Sequence, residues 1–575
     1  MSRIDRLEST EVVVVGGGPV GLVTAADLGW RGRDCILLER TDGAIDQPKM
    51  DQVGIRTMEF CRRWGIVDWV EASPYVRDYP QDNVYLTALN GYELGREPMP
   101  SMNDSIAPPE SPQHRERCPQ NMFDPILQRF ADTHPGVELR YRNRFESFVQ
   151  DDTGVTVIAL NPAGERYQIR CKYLVGCDGG RSAVREQLGI GMQGRGLLTH
   201  TVNVVFRCAD FNQRHDKRPG YRYMFVGPDG TWATIVAING SDQWRMSIIG
   251  NAQIKPDYTQ DEIVAIAHRL MGAPFPMEIL STLNWARMEL VADTYQNARV
   301  FLAGDACHLT SPTGGLGMNT GIGDAVDLSW KLSANLEGWG GQALLDSYTV
   351  ERRPVAQRIT RFSTGNLSVM RDAKSDPRLF DDTSEGAAIR ERVGHALEHG
   401  LKREWYSMNM HLGYRYMDSS VIVYEADENR AHIDAENEQG AVYTPSTRPG
   451  ARAPHLWLAD GRSTLDLFGS DFVLVCSGPS RELPTQLLRA ARTLTLPLRV
   501  EYVSEAHTLY AKPYVLVRPD GHVAWRGDAL PNDPLALLEK VTGLGPSAST
   551  IRSAFADSRA SLFERPAALP SDPLV

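Results

Sequence analysis

Apolar residues near the N-terminus are followed by glycines in a pattern that predicts a strand, a tight turn and a helix. Val12–Val15 form an unbroken β-branched run, which is typical of a strand buried on both faces. The pattern GxGxxG follows at Gly16, Gly18 and Gly21, and the segment LVTAADLGWRG after it has helical spacing. A second apolar run, CILL, ends at Glu39. The order strand, glycine turn, helix, strand and acid predicts a β-α-β unit.

Two later regions show different patterns. Residues 195–290 contain strand-like alternation in HTVNVVFRC, GTWATIVAI and QWRMSIIG, so we expect an antiparallel sheet. A short apolar strand, 300–303, then leads into a Gly-Asp pair ending at Asp305. A loop rich in proline and glycine, 312–317, precedes a segment with helix-forming potential from about Met318.

Both glycine-rich segments have a chemical meaning. Glycines after a strand let the backbone approach a pyrophosphate at a helix N-terminus, and an acid about 20 positions later can bind ribose hydroxyls. An acid at a strand end, followed by small residues at a helix start, suits a large and partly anionic cofactor. Two such segments, far apart in the chain, suggest a flavin enzyme. A second GxGxxG at Gly189, Gly191 and Gly194 follows a helix-like segment, and we interpret it as a loop.

Composition excludes several classes of protein. The length of 575 residues predicts two or three domains, and 42% hydrophobic with 23% charged residues is ordinary for a globular protein. The net charge of −11 argues against a nucleic-acid-binding surface. Eight scattered cysteines without a CxxC pair predict reduced thiols and no metal site. We find no signal peptide and no apolar stretch long enough to span a membrane, so we expect a cytoplasmic protein without a membrane partner.

Three motifs, in order, resemble those of the single-component (class A) FAD-dependent aromatic hydroxylases, the family of para-hydroxybenzoate and phenol hydroxylases. They are GGGPVG with Glu39 and Arg40, YLVGCDGGRSAVR, and RVFLAGDACH with PTGGLGMNTGIGDAVDLSWKL. ERRP, which starts at Glu351, is expected to close the helix that the family places after the third motif. HLGYRY, PGARAPH and STLDLFG are similar to the longer branch, which includes phenol, resorcinol, 3-(3-hydroxyphenyl)propionate and polyketide hydroxylases.

The resemblance implies an α/β fold with three parts. A Rossmann-like FAD-binding domain would be interleaved with an antiparallel-sheet substrate domain and followed by a thioredoxin-like C-terminal domain. RPDGHVAWR fits a hairpin of that last domain, and the lack of CxxC implies a structural or dimer-contact role there. We assign 1–75, 110–195 and 290–370 to the FAD-binding domain, 76–109 and 196–289 to the substrate domain, 371–442 to a helical connection, and 443–575 to the C-terminal domain.

The resemblance also implies which residues bind FAD. Glu39 would bind the adenosine ribose, Asp305 a hydroxyl of the ribityl chain, and Gln120 the region near the ribityl and phosphate groups. Gln120 could instead be a solvated amide at a helix start, and Asp178 with Gly179 could be only a strand-ending turn. Backbone N–H groups at the start of the last motif's helix would stabilise negative charge on the flavin. The predicted cofactor-binding residues are Gly16, Gly18, Pro19, Val20, Gly21, Glu39, Arg40, Lys49, Gln120, Asp178, Gly179, Asp305, Gly315, Gly317, Met318 and Asn319.

The family's chemistry adds one oxygen atom from O2 to an electron-rich ring, through a flavin hydroperoxide formed after NADPH or NADH reduces FAD. A base that generates the phenolate would help, and Asp51 is the candidate, the alternative being a cap for the helix from about Arg56. Pro312 is expected beside the hydroperoxide. Lys49 occupies the family's usual arginine position but lacks the bidentate fork of arginine. The predicted substrate contacts, for which ordinary packing is the alternative, are Tyr221, Tyr223, Trp232, Arg245 and Met246.

The leading hypothesis is therefore a flavoprotein monooxygenase that hydroxylates a phenol-like ring with O2 and NAD(P)H. One alternative is the same fold acting on a polycyclic polyketide or antibiotic, and another is a non-catalytic FAD-binding regulatory protein. A disulfide reductase would need a redox CxxxxC and a second Rossmann unit, and neither is present. The expected partners are a small aromatic substrate and O2, and the family implies a homodimer.

Overall fold

The computed structural model describes residues 7–373, 376–426, 428, 440–478 and 483–545. Parts of three predicted domains lie outside the described residues: the first six residues, part of the helical connection, and the C-terminal segment 546–575. The described residues form a mixed α/β structure with several sheets, so the predicted fold class is confirmed.

A six-stranded sheet, parallel except at one edge, forms the centre of the FAD-binding domain in the order β18-β19-β12-β2-β3-β8. The β-branched run of β2 lies inside this sheet, and all four valines are buried as their pattern predicts. The strands are β2 (Val12–Val15), β3 (Cys35–Glu39), β8 (Val137–Tyr141), β12 (Tyr173–Gly176), β18 (Gln296–Asn297) and β19 (Val300–Leu302).

Two smaller sheets extend this domain. A four-stranded sheet has the order β1-β11-β10-β9, and a two-stranded ribbon joins β4 to β7. The first strand of the ribbon directly follows Asp51. The strands are β1 (Leu7–Ser9), β9 (Arg144–Asp151), β10 (Gly154–Leu160) and β11 (Arg166–Cys171), with β4 (Gln52–Val53) and β7 (Glu116–Arg117) in the ribbon.

An eight-stranded sheet forms the predicted substrate domain, in the order β20-β17-β13-β16-β15-β14-β5-β6. The sheet is antiparallel as predicted, except that β5 pairs with β14 in parallel. The reason is that β5 arrives from the separate segment 76–109 rather than through a hairpin. The strands are β5 (Asn83–Leu86), β6 (Glu93–Glu97), β13 (Met192–Arg207), β14 (Arg222–Gly227), β15 (Gly230–Ala237), β16 (Gln243–Ile249), β17 (Glu278–Ala292) and β20 (His308–Leu309).

Helices cover the sheets and connect the domains. The motif ERRP does not close a helix: it lies inside the long helix α8, which continues past Pro354. Glu351 pairs with Lys331, and Arg352 pairs with Asp324, both in α7. These ion pairs hold the middle of α8 in place next to Pro354, which lacks a backbone N–H. The helices are α1 (Pro19–Trp30), α2 (Ile55–Trp64), α3 (Val67–Glu71), α4 (Gln120–Asp132), α5 (Ala183–Gln187), α6 (Gln260–Met271), α7 (Gly317–Glu337), α8 (Gln342–Asp372), α9 (Ser384–Trp405), α10 (Met408–Leu412), α11 (Thr485–Thr493), α12 (His507–Tyr510) and α13 (Pro534–Val541).

The C-terminal part contains a four-stranded sheet in the order β22-β21-β23-β24, with a parallel pair and two antiparallel pairs. RPDGHVAWR forms the turn and second strand of a hairpin, as predicted. The preceding segment from 443 to 454 has neither helix nor strand, which fits a linker. The strands are β21 (Phe472–Cys476), β22 (Leu498–Tyr502), β23 (Tyr514–Val517) and β24 (Val523–Gly527).

A buried ionic network joins this C-terminal sheet to the FAD-binding domain. Arg518, in the hairpin turn, pairs with Glu351 of α8 at 2.6 Å and with Asp327 of α7 at 3.1 Å. Lys331 of α7 contacts the same two acids at 2.7 and 2.8 Å, and Asp520 completes the set beside Arg518. These side chains are at most 2% exposed. Charges buried this deeply are tolerated only when paired, so the two domains depend on each other here.

Three further findings bear on the predictions. All eight cysteines are free thiols, and all but Cys177 are buried. The second GxGxxG lies in the turn after α5, except that Gly194 is already within the irregular start of β13. Within the described ranges, each helix is too short or too polar to cross a membrane.

Candidate active site

The first glycine motif forms a close turn between β2 and α1. A methyl group on Gly16 would lie 2.4 Å from the carbonyl oxygen of Cys177, and one on Gly21 would lie 1.9 Å from the carbonyl oxygen of Gly16. Gly16 also has φ of +108°, which favours glycine. A methyl group on Gly18 would meet nothing within 4 Å, so open space lies beside it at the start of α1. This is the cradle that a pyrophosphate needs.

Two acids flank this cradle. Glu39 accepts hydrogen bonds from the backbone N–H groups of Gly17, at 2.7 Å, and Thr41, at 2.8 Å. Asp178 follows β12; its Oδ2 accepts a hydrogen bond from the N–H of Val184, at 3.2 Å, and its Oδ1 is buried without a partner. Burial raises the pKa of the Asp178 carboxyl. A hydrogen-bond donor of a ligand would satisfy this free oxygen, and cofactor binding by Asp178 stays a prediction.

The first and third motifs pack directly against each other. Methyl groups on Gly304 and Gly321 would lie within 2.8 Å and 2.6 Å of a methyl group of Val20. Pro19 is the first residue of α1, a position that proline favours, and α1 begins next to this junction. Asp305, in the 3₁₀ turn Gly304–Ala306, is exposed. An exposed carboxylate there remains available to a ligand hydroxyl.

Asp324, in α7, holds the third motif in place. Its Oδ2 lies 2.7 Å from Nε2 of His308 and accepts a hydrogen bond from the N–H of Gly304 at 3.2 Å. Its Oδ1 accepts a hydrogen bond from Arg352 at 2.8 Å. Burial opposes the charge, but Arg352 and His308 outweigh it and lower the pKa of Asp324. His308 is therefore a structural residue. Cys307, His308 and Asp324 lie as close together as metal ligands do. The ion pairs of Asp324 with His308 and Arg352 already account for this arrangement.

The loop after this motif presents backbone N–H groups at the start of α7. Gly317, Met318 and Asn319 are the first three residues of the helix, and the first hydrogen bond within it is donated by Thr320. The side chain of Asn319 accepts hydrogen bonds from the N–H of Gly54 and the hydroxyl of Thr57, both at 2.7 Å. It therefore fixes the helix start against the segment after Asp51.

The other loop residues and the predicted basic residues lie at the surface. Pro312 and Gly315 are exposed, as are Arg40 and Lys49, and no partner for these two basic side chains is found among the described residues. Gly179 adopts φ of +81° in the turn after Asp178. These positions are open to a ligand in the cleft.

Gln120 is not a solvated amide. It starts α4, is 7% exposed, accepts a hydrogen bond from the N–H of Lys49 at 3.1 Å and donates one to Asp124 at 3.1 Å. Burial raises the pKa of Asp124 to about 7. Gln120 thus fixes the backbone of the loop that carries Lys49, next to the cleft.

Asp51, Tyr221 and Arg245 form one cluster, although they come from three separate segments. Two nitrogens of Arg245 donate to the two oxygens of Asp51, at 2.9 and 2.5 Å, and the hydroxyl of Tyr221 donates to Oδ2 at 3.0 Å. The guanidinium of Arg117 lies 3.5 Å from the centre of the Tyr221 ring. Gly54 caps α2, so the alternative role of Asp51 as a helix cap is wrong.

The three remaining substrate candidates lie on the other face of the eight-stranded sheet. Tyr223 and Met246 are fully buried in the core under α6, and Trp232 packs against Arg269 of α6 at 4.0 Å. Strand alternation turns Tyr223 and Met246 away from the face of Arg222 and Arg245, and the β-bulge at Trp232 turns this residue toward α6. Their assignment as substrate contacts is therefore wrong.

Glu404 was not predicted from the sequence. Glu404, near the end of α9, accepts hydrogen bonds from the N–H of Gly314 at 3.0 Å and from Arg222 at 2.9 Å. Ser247 lies on the same face as Arg245 and donates to Asn203 at 2.8 Å. No local motif marks Glu404, because its partners come from a distant loop and strand.

A cleft of about 610 Å³ lies between β13 and α8. Its wall includes Leu198 of β13, Thr364 and Arg371 of α8, and the turn at Pro228. A drug-sized ligand needs a site of roughly 300–1,000 Å³, so the cleft is large enough for an organic substrate.

These features together fit FAD. The open space at Gly18 and the buried free oxygen of Asp178 suit its phosphates and hydroxyls, and the start of α7 suits an anionic ring edge. The family described as "FAD binding domain" matches residues 9–363, and "Aromatic-ring hydroxylase, C-terminal" matches residues 446–543. The chain belongs to the FAD-dependent aromatic-ring hydroxylases. The predicted family is confirmed, and with it the prediction of a monooxygenase.

Individual relatives cover nearly the whole chain. The FAD-dependent monooxygenase apdD of Emericella nidulans is 33% identical over 92% of this chain and 89% of its own length. Aklavinone 12-hydroxylase RdmE of Streptomyces purpurascens is 33% identical over 92% of this chain and 98% of its own. The solved structure of RebC soaked with chromopyrrolic acid, with bound 7-carboxy-K252c, has a TM-score of 0.86 at 35% identity, and the match covers 94% of this chain and 100% of that one.

Proposed function

We propose that this chain uses NADPH or NADH, FAD and O2 to hydroxylate a phenol-type ring in the chamber between Asp51 and the start of α7. The observation that carries the proposal is the cluster of Asp51, Tyr221 and Arg245, which lies next to the segment that Asn319 ties to α7. When bound, FAD supplies the redox chemistry that takes two electrons from a reduced nicotinamide and activates dioxygen, with one oxygen atom entering the ring and the other leaving as water.

Residues of this chain would hold the cofactor in an extended cleft. Gly18 leaves room for the pyrophosphate, and Asp178 offers a free acceptor to a hydroxyl. The N–H groups of Gly317 and Met318 would lie against the electron-rich end of the ring system. Pro312, exposed in the preceding loop, would cover the side on which dioxygen reacts.

The Asp51 cluster is suited to moving a proton from a phenol. A phenol is a better nucleophile as phenolate, so a nearby acceptor speeds attack on the oxygen donor. The fork of Arg245 fixes both oxygens of Asp51, while Tyr221 donates to one of them. The hydroxyl of Tyr221 can accept the phenol proton as it passes its own to Asp51. The carboxylate of Asp51 is therefore held in position before the substrate ring binds.

A multi-ring substrate is the second candidate, and the size of the cleft favours it. The cleft between β13 and α8 has a volume of about 610 Å³, more than a single phenol ring needs. The similar protein RdmE is described as an aklavinone hydroxylase, and RebC binds 7-carboxy-K252c, so the fold accepts large ring systems.

The test is a substrate screen on the purified protein. The flavin spectrum would be recorded first, and NADPH and NADH oxidation would then be followed with single-ring phenols and with polycyclic phenols. We expect one class to stimulate oxidation and to yield a product heavier by one oxygen atom, labelled when 18O2 is supplied.

The outcome separates the proposal from its rivals. Bound flavin without ligand-stimulated NAD(P)H oxidation would instead support a non-catalytic regulatory protein. Stimulated oxidation that releases only hydrogen peroxide would show that the ring sits in the wrong place for transfer. Product from polycyclic compounds alone would select the second candidate.

A further inference from the structure

Three arginines lie on the chamber face of the eight-stranded sheet. Arg245 is paired with Asp51, and Arg222 is paired with Glu404 at 2.9 Å. Arg287, on β17, lies on the same face, and no described carboxylate comes within ion-pair distance of it. Of these three guanidinium groups, Arg287 is the one without a carboxylate partner among the described residues.

Arg287 is unusual because it is a buried cation without an anionic partner among the described residues. It is 4% exposed, its Nε donates to the hydroxyl of Thr201 at 3.1 Å, and its Nη1 is buried without any partner. Burial, with the nearby guanidinium groups of Arg222 and Arg245, lowers the pKa of Arg287 to about 9 even though Glu404 opposes the shift. A buried cation of this kind is stabilised strongly by an added anion.

Other buried polar groups without partners are found around the same chamber. Asn366 of α8 is fully buried with neither amide atom hydrogen-bonded, and a methyl group on Gly314 would lie 3.6 Å from its nitrogen. Oε2 of Glu404 and the hydroxyl of Thr364 are also buried and unpartnered. Groups of this kind are rare in a folded core, and together they indicate a site that receives a polar ligand.

The cleft gives a route to these groups. Leu198 in its wall is adjacent to Thr199, which is paired with Arg287 across the sheet. Arg371, in the same wall, lies near enough to contribute to the lowered pKa of Arg287. The cleft wall carries two arginines and two aspartates (Arg195, Arg371, Asp229 and Asp372), so its charges balance and the selectivity rests on Arg287.

We propose that Arg287 binds a carboxylate carried by the aromatic substrate, with Asn366 as a neighbouring donor, so that the chain selects ring compounds bearing an acid group. The proposal rests on the proposed function, because it takes the chamber to be the place where the ring binds. The planar fork of arginine matches a carboxylate, and Nη1 supplies a donor that nothing else uses.

Binding of matched acid and amide pairs to the FAD-loaded protein tests this selectivity. The pairs are 3-hydroxybenzoate with 3-hydroxybenzamide, 3-(3-hydroxyphenyl)propionate with its amide, and 1-hydroxyanthraquinone-2-carboxylate with its amide. Isothermal titration calorimetry at pH 7 gives both dissociation constants without any turnover. We expect the best-fitting acid to bind about tenfold or more tighter than its amide, as for a desolvated hydrogen bond to a charged group.

Variants then locate the selectivity. Arg287→Gln should reduce the acid preference to about twofold or less, and Arg287→Lys should retain part of it because the charge remains. Arg195→Gln is the control, since Arg195 lines the cleft mouth but its side chain is 68% exposed. FAD content and melting temperature would confirm that each variant is folded. An unfolded Arg287→Gln would leave the decision to Arg287→Lys and the wild-type pairs.

Several results would overturn the inference. They are equal affinity for acids and amides, failure of every acid to bind, or an acid preference that survives Arg287→Gln or disappears in Arg195→Gln. Failure of the proposed function would look different: acid-selective binding would persist while no compound stimulated NAD(P)H oxidation.

Discussion

Two nitrogens of the Arg245 guanidinium donate hydrogen bonds of 2.9 and 2.5 Å to the two carboxylate oxygens of Asp51, which lies 194 positions earlier in the sequence. The side chains are only 13% and 12% exposed, so water competes poorly for either partner. Asp51 belongs to the FAD-binding part and Arg245 to the substrate sheet. The pair therefore fixes how the two parts meet where the ring is proposed to react.

Replacing the proposed proton acceptor should slow hydroxylation while leaving the cofactor bound. In Asp51→Asn the amide keeps the shape but cannot take up a proton, so we expect a turnover rate lower by about 100-fold or more. Turnover would be measured by product formation under saturating NAD(P)H, and FAD content by absorbance. Asp46→Asn, an exposed neighbour in the same loop, is the matched control. Unchanged turnover in Asp51→Asn would remove this residue from the mechanism.

Two glycines of the first motif should respond differently to an added methyl group. Gly16→Ala places that group 2.4 Å from a backbone oxygen at φ of +108°, so we expect a lower melting temperature and lost FAD. Gly18→Ala places it in open space, so the apoprotein should melt normally while its affinity for FAD falls by about tenfold or more. Thermal melting with and without added FAD measures both effects. Normal FAD affinity in Gly18→Ala would place the pyrophosphate elsewhere.

The stability of the protein should depend on pH through Asp124. Its pKa is raised by burial to about 7 in the folded protein, against about 3.9 for an unfolded aspartate. Folding therefore takes up a proton between about pH 4 and pH 7, and stability from this group falls as the pH rises through that window.

Asp124→Asn cannot ionise and should remove that fall. We expect its free energy of unfolding to match the wild type near pH 4 and to exceed it at pH 8 by about 1–4 kcal/mol. Urea unfolding of the apoprotein at both pH values measures the difference. An equal effect of the substitution at the two pH values would show that Asp124 is ionised throughout.

Removing the cation at the centre of the interdomain network should be costly. Arg518→Met leaves Glu351, Asp327 and Asp520 buried around one remaining cation, so we expect a loss of about 3–5 kcal/mol in the free energy of unfolding. Arg462→Met, which breaks an exposed pair with Asp460, should change the free energy of unfolding far less. Denaturant unfolding followed by flavin fluorescence and by circular dichroism would show whether both domains respond. Similar losses in the two variants would contradict the network's role.

Local sequence was sufficient where local physics decides the structure. The valine run and glycines of the first motif predicted β2, the turn and α1, because burial on two faces and close backbone approach restrict the residue types strongly. The Pro- and Gly-rich loop likewise predicted the start of α7 at Gly317.

The faces of the substrate sheet were harder to predict. Arg245 and Met246 are neighbours in β16, so strand alternation alone meant that only one of them could face the chamber. Tyr221 reaches Asp51 because it precedes β14, in irregular backbone where alternation gives no guidance. Glu404 and Arg287 could not be predicted at all, since their roles arise from contacts between distant elements.

The hairpin turn that carries Arg518 also restricts how this protein can change over evolutionary time. A recombinant chain that received an unrelated final domain would keep Asp327 and Glu351 facing each other inside the first domain, with Lys331 as their sole counter-ion in the network. Such a graft would need compensating substitutions in α7 and α8 before it could fold well. The domain with the C-terminal sheet and the FAD-binding domain should therefore be inherited as one unit.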